Sequence, residues 1–210
     1  MEIAEIASLK PTLFWRDPLV VALSVLAGKT RRSPYRVVVT DYNMKVKGVL
    51  TGRRVLEVLL GRRGTSLRER EGIKGILREP VGLFIDEARH LFVEDTPLQA
   101  VLQYMAENEI GQVVVVNQVG GFRGIVDEEC LLRRLIGKKF GIRVSEVMSE
   151  TVHSIPPEIN LLEAAHMMVD LMVRRLVVLR EKTPLGVLTV TDILNYVLAK
   201  EMHIEMLLYD

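Results

Sequence analysis

Internal repetition is what most constrains this chain. Three stretches follow one order: an apolar helical segment, a β-branched run, a turn, then a glycine leading through two apolar residues into a second helix. In the first unit the β-branched run is Tyr35-Arg36-Val37-Val38-Val39, and Gly48-Val49-Leu50-Thr51 leads into Arg53 to Leu60. In the second it is Gln112 to Val116, with Gly124-Ile125-Val126-Asp127 before Glu128 to Leu132. In the third it is Arg175 to Leu179, with Gly186-Val187-Leu188-Thr189 before Asp192-Ile193-Leu194. A helix precedes each run: Pro18 to Leu26 closed by Gly28, Leu98 to Met105, and Leu161 to Met168, with apolar residues at helical spacing. Short strand-like runs open the units at Thr12 to Trp15, Leu91 to Val93 and Val152 to Ile155.

Each unit therefore reads as β-α-β-β-α, a mixed α/β (α+β-like) architecture. One such unit is too small to cover both faces of its sheet and helices, so the units must pack on one another. The boundaries read as 1–61, 62–138 and 139–210, with an Arg-rich linker over 62–88. The step between the first two marker glycines is lengthened by the Leu67 to Ile85 region, and Gly141 to Glu150 connects the second and third units. Three units cannot all pair. Either the first and second pair, or the second and third do, and an uncovered apolar face predicts a homodimer or larger assembly. The amphipathic tail Glu201 to Tyr209 could serve that interface, or be an ordinary last helix with a frayed end.

The order of short strand, helix, apolar strand and Gly-apolar-apolar-Thr-x-x-Asp resembles the cystathionine-β-synthase (CBS) domain. The third unit matches best, through Glu146-Val147-Met148-Ser149, Val173 to Val178 and Gly186 to Asp192. The resemblance spans nearly the whole chain as three copies and implies tandem units packed through their sheets into a Bateman-type module. It also implies a non-enzymatic sensor of an adenosine-containing ligand held in a cleft between units: AMP, ADP or ATP, with NAD or S-adenosylmethionine as alternatives. On that resemblance the ribose diol falls to Asp192. Thr189, Thr191 and Ser154 lie near ribose or phosphate, and Val152, Ile155 and Val177 wall the base.

The chemistry of these residues suits such a ligand. A carboxylate can accept both hydroxyls of a cis-diol, and a helix N-terminus presents unpaired N–H groups to phosphate. Arg174 or Arg175, at the start of the third central strand, could approach a phosphate. Thr189-x-x-Asp192 is equally a capping box that needs no ligand. Comparison of the copies separates these readings. Three residues after the marker glycine stand Thr51, Asp127 and Thr189, all good caps; six after it stand Arg54, Cys130 and Asp192, so only the third copy keeps the acid. The first unit retains Thr12 and Thr51, and Arg54 either favours a phosphate there or is a solvated helix residue. Leu91 cannot hydrogen-bond a nucleotide and Asp127 would repel its phosphate, so the second copy reads as structural.

Other functions find little support. No Gly-x-Gly-x-x-Gly or P-loop segment occurs, and no Ser-His-Asp arrangement. The four histidines, His90, His153, His166 and His203, are scattered, so no metal is expected. Arg53, Arg54, Arg62, Arg63, Arg68 and Arg70 could meet a nucleic-acid backbone, but interspersed Glu57, Glu69 and Glu71 favour a solvated linker. A ligand-free scaffold for self-association or partner contact is the main alternative function. With 28 basic against 27 acidic residues, a net charge of +1 supplies no drive toward nucleic acid or membrane. The N-terminus lacks a signal pattern, no apolar run reaches the ~20 residues of a membrane span, and a lone Cys130, read as a packing residue, excludes an internal disulfide. A cytoplasmic protein is expected.

Overall fold

The computed structural model describes residues 2–28, 36–135, 141, 143–146, 148–149 and 151–208; the side chains of 65–71, 134–135 and 201–208 lie outside that description, and with them the expected tail interface and Arg68 and Arg70. Tyr35 also lies outside it. The first unit consists of β1 (Thr12–Phe14), α1 (Leu19–Leu26), β2 (Arg36–Thr40), β3 (Val46–Thr51) and α2 (Gly52–Leu59). After α3 (Thr65–Arg78) and the two-residue strand β4 (Asp86–Glu87) comes the second unit: β5 (Leu91–Val93), α4 (Leu98–Glu107), β6 (Gln112–Val116), β7 (Phe122–Asp127) and α5 (Glu128–Leu135). The third holds β8 (Ser154–Ile155), α6 (Leu161–Asp170), β9 (Arg175–Arg180), β10 (Thr183–Thr189) and α7 (Val190–Leu208).

The three sheets repeat one register. The opening strand runs parallel to the central strand and the third strand antiparallel to it, giving the rows Thr12–Val38–Val49, Leu91–Val114–Ile125 and Ser154–Val177–Val187. Side chains alternate across a strand. Val37 and Val39 therefore enter the helix-covered core while Val38 faces the other way, and Val113 and Val115 are separated from Val114 and Val116 in the same manner. Central strands apolar on both faces are explained by this double burial.

Units one and two meet sheet to sheet. Val38, Val114, Val116 and Ile125 form a closed cluster with Val46, Val49 and Phe122 against it. Their hairpin tips join through Val46 N–H to Gly120 O (3.2 Å) and Phe122 N–H to Met44 O (2.9 Å). Each of these two units also lends the other an arm, the segment ahead of its opening strand. The first arm donates Ile3 N–H to Thr96 O and Ala4 N–H to Glu94 O, then bridges Ser8 to Ile125 at the edge of β7. The second donates Val81 N–H to Asp17 O and Gly82 N–H to Trp15 O, then forms β4 beside β3. The marker glycines are explained by this exchange. A Cβ on Gly48 would stand 2.3 Å from Asp86 O, and one on Gly124 would stand 3.0 Å from the Ala7 methyl.

The third unit joins the first through helices. α1, α2, α6 and α7 share one core with Leu23, Val55, Met168, Ile193 and Leu194. Gly52 sits so close to α7 that a Cβ there would lie 3.2 Å from Val190 Cγ1. Of the two pairings open to the sequence, the first-with-second one forms. The 62–88 stretch departs from the expected solvated linker: α3 turns at Gly72 (φ 66°), and Ile76, Leu77, Val81 and Phe84 are buried in the first unit's core. Its apolar residues decide this: all four join the first unit's core and leave the intervening charged residues outside it.

Candidate functional site

The start of α7 gathers most of the residues singled out in the third unit. Thr189 is the N-cap, and Asp192 N–H donates to its Oγ1 at 3.2 Å. In return Thr189 N–H and O–H donate to Asp192 Oδ2 at 2.8 and 2.6 Å, a complete capping box. Both returning bonds fall on Oδ2; Oδ1 accepts no hydrogen bond among the described residues, and Asp192 is exposed. Thr189 lies beside Arg175 across the β9–β10 ladder, and Val190 N–H donates to Arg174 O at 3.1 Å. Ser154 and Val177 are neighbours in register, with Val152 exposed just ahead and Thr191 half-buried in the first turn of α7. Thus Asp192, Thr189, Arg174 and Arg175 cluster at one end of the sheet, and Ser154 with Val177 continues the same surface.

Ile155 does not join them. One residue beyond Ser154, it points to the opposite face and is buried in the shared core with Ala165 and Met168. It cannot wall a ligand on the Ser154 side, because strand side chains alternate.

In the first unit Thr51 caps α2 by accepting Arg54 N–H at 3.1 Å. Arg54 itself is engaged by Asp86 and Glu57, so it is neither the open cation nor the solvated helix residue expected there, and Arg63 meets the same two acids. Thr12 stands half-buried on β1 beside Val38. In the second unit Asp127 caps α5 by accepting Cys130 N–H at 2.9 Å, and Lys10 of the first arm approaches both Asp127 and Glu129 at 3.3 Å. Burial would raise the Asp127 pKa, but the Cys130 hydrogen bonds and the Lys10 ammonium together hold it below the ordinary carboxylate value.

One candidate escaped the sequence reading, Arg36, and Arg53 was read only as part of a nucleic-acid-binding stretch or solvated linker. Gly52 and Val190, the first residues of α2 and α7, are in contact, so two helix N-termini converge where the first and third units meet. Arg53 reaches across to Met172 O at 2.9 Å. Arg36, at the start of β2, is opposed to Thr51 as Arg175 is to Thr189. Its pKa is lowered by burial and by the neighbouring Arg174 and Arg53 guanidiniums, against the pull of Glu128. Arg36, Arg53 and Arg174 are thus electrostatic neighbours where two helix N-termini converge, with Glu128 beside Arg36 and Glu57 paired to Arg53. Aligning Arg36 with Arg175 in the repeats was the available signal; that Arg53 would face the third unit was not visible before the helix packing was known.

Four arginines of the stretch read for nucleic acid enter internal pairs, and the side chains of Arg68 and Arg70 lie outside the description. Arg53 and Arg54 contact Glu57, Arg62 reaches Asp170 at 3.1 Å, and Arg63 pairs with Asp86 at 2.9 Å. Among the described residues, no group of three or more His, Cys, Asp or Glu side chains could hold a metal ion, and no helix is long and apolar enough to cross a membrane.

Comparison with known proteins agrees with this architecture. The CBS domain family model matches residues 90–137 and 144–199. An uncharacterised 33.4 kDa protein in the ribosomal RNA operon of Thermofilum pendens is 26% identical over 179 residues, 83% of this chain, and the chain spans 59% of that relative's length. The crystal structure of protein MJ1225 from Methanocaldococcus jannaschii superposes with a TM-score of 0.81 at 21% identity, over 92% of this chain and 71% of that one. CBSX2, crystallised in complex with AMP, superposes with a TM-score of 0.53 at 16% identity, over 64% of this chain and 96% of its own. With the second and third repeats matched by the family model and the fold shared with such structures, the chain belongs to the CBS-domain family.

Proposed function

We propose that this chain is a non-catalytic regulatory protein built of three CBS motifs, over 1–61, 62–138 and 139–210, that senses an adenine nucleotide of the AMP, ADP or ATP class. The observation that carries the reading is Asp192 in the first turn of α7: its Oδ2 closes the cap with Thr189, its Oδ1 accepts no hydrogen bond among the described residues, and the N-terminus of α2 stands alongside at Gly52. Helix N-termini favour a phosphate. Asp192 Oδ1 would take the ribose diol while Oδ2 keeps the cap, and the Ser154–Val177 surface would lie under the base. CBSX2, which shares the fold, was crystallised with AMP. Binding would regulate a partner by favouring one arrangement of the units over another.

Isothermal titration with AMP, ADP, ATP, NAD and S-adenosylmethionine tests this. At least one of the three nucleotides is expected to bind, and Asp192→Asn, which keeps an acceptor for the cap, should weaken it roughly 10- to 100-fold by loss of a charge-assisted hydrogen bond. Arg36→Gln should weaken the phosphate-rich ligands most. No heat from any ligand with folded protein, or equal affinity for Asp192→Asn, would sink the proposal. A ligand-free scaffold is the second reading, favoured by the engagement of Asp192 in the capping box of Thr189, which caps α7 where Thr51 and Asp127 cap the units that lack the acid.

A further inference from the structure

We propose that Arg54 and Arg63 form a clasp for a phosphate oxyanion that the chain fills with its own Asp86, and that such an anion displaces Asp86 and lifts the second unit's arm from the first unit. The clasp asks nothing of a base or a ribose, so it does not rest on the adenine-nucleotide reading.

Two segments of the chain build it. Arg54, in the first turn of α2, donates Nε–H to Asp86 Oδ2 at 2.9 Å and contacts the same oxygen through Nη2. Arg63, just past that helix, donates Nη2–H to the other oxygen, Oδ1, at 2.9 Å. Both oxygens of one carboxylate are therefore held by guanidinium forks, which grip phosphate oxygens in the same way. Glu57 contacts both arginines from within α2. With Asp86 in place the charges cancel; without it two cations face a single acid, and the surplus positive charge favours an anion.

Exposure shows which member yields. The side chains of Glu57 and Arg54 are 14% and 19% exposed, against 37% for Arg63 and 46% for Asp86. The clasp is thus fixed on its α2 side and open to water where Asp86 enters. The arm is lightly fastened at that point: Val81 and Phe84 anchor it in the core, but beyond them the ladder to β3 holds only the rows Gly48–Glu87 and Val49–Asp86. Lifting residues 86–89 gives up that short ladder and leaves the anchor in place. The first arm is wired the opposite way. Ser8 meets Cys130, which holds the place of Arg54 in the second unit, and the arm's cation, Lys10, goes to Asp127 and Glu129. There the arm brings a cation to acids; the second arm brings an acid to arginines, so it is the second whose lifting uncovers an anion site. Because Asp86 is tethered, a free anion must exceed its effective concentration, which sets the response in the millimolar range.

Hydrogen–deuterium exchange of the full chain tests this, with inorganic pyrophosphate as the probe and sodium chloride at matched ionic strength as the screening control. Pyrophosphate should speed exchange across the β3–β4 ladder by about 10-fold or more, and sodium chloride should not. Asp86→Asn removes the competing charge at constant size, and by isothermal titration it should bind pyrophosphate about 10-fold or more tighter than the wild type. Arg54→Gln and Arg63→Gln should each abolish the response; Arg63 is the more exposed, so its variant decides the case if Arg54→Gln loses its far-ultraviolet circular dichroism spectrum. A ladder that exchanges alike in pyrophosphate and in sodium chloride overturns the proposal. So does a response that the folded arginine variants retain, which would place the anion elsewhere, or an Asp86→Asn protein that binds pyrophosphate no more tightly than the wild type. Since pyrophosphate carries neither base nor ribose, these results stand apart from the outcome of the nucleotide titrations.

Discussion

The first and third units are built from nearly the same sequence pattern and end in opposite states. In the first, the arm-bearing glycine is covered, the central strand is buried on both faces, and the cation after the cap is paired. In the third, the corresponding glycine is open, the outward face is exposed, and the acid after the cap retains an oxygen without a partner among the described residues. Such a repeat thus encodes its own helix-side core, but its other face is finished only by a neighbour. Burial of a β-branched run on one side is local; burial on the other is a property of the pair.

Two paired substitutions and one single one would break or sharpen this contrast, measured by urea unfolding. The largest difference is expected between Ile125→Ala and Val187→Ala. The first opens a cavity in the closed sheet interface and should cost about 2–4 kcal/mol, whereas the second, on an exposed face, should stay within about 0.5 kcal/mol. Equal costs would mean that the third face is covered within one chain. Next come Gly48→Ala and Gly186→Ala. A methyl at 48 must displace the Asp86 carbonyl and should cost about 1–3 kcal/mol, while the methyl at 186 should be nearly silent. The smallest effect belongs to Asp127→Asn, which keeps the cap and loses the attraction to Lys10. Because folding lowers the Asp127 pKa, its contribution is complete above the unfolded value near ~3.9 and is lost as pH falls through the lower folded one. The variant should be weaker by less than about 1 kcal/mol at neutral pH, with the deficit vanishing in acid. A deficit that persists in acid would assign the effect to the cap instead of the charge.

Much of the fold was legible because the repeat fixes element order, and Val37 to Val39, Val113 to Val116 and Leu176 to Val178 are too apolar for anything but a central strand. The site was legible in part. Thr189 and Asp192 stand together because a capping box is local in sequence. Ile155 was misplaced by one residue of alternation, which a two-residue strand leaves weakly marked. The burial of Ile76 and Leu77 at the end of α3, and of Val81 and Phe84 after it, was missed because Lys74, Arg78 and Glu79 interrupt their spacing. Arg53 depends on a helix contact between units far apart in sequence, which no local pattern contains.

That contact, Gly52 against Val190, has a mechanical result. The leading turns of α2 and α7 abut with no side chain between them on the glycine side, so neither can shift along its axis without pushing the other. Were a molecule to seat on one leading turn and displace its helix, the push would reach the other turn, and any resulting change in affinity would be equal in both directions.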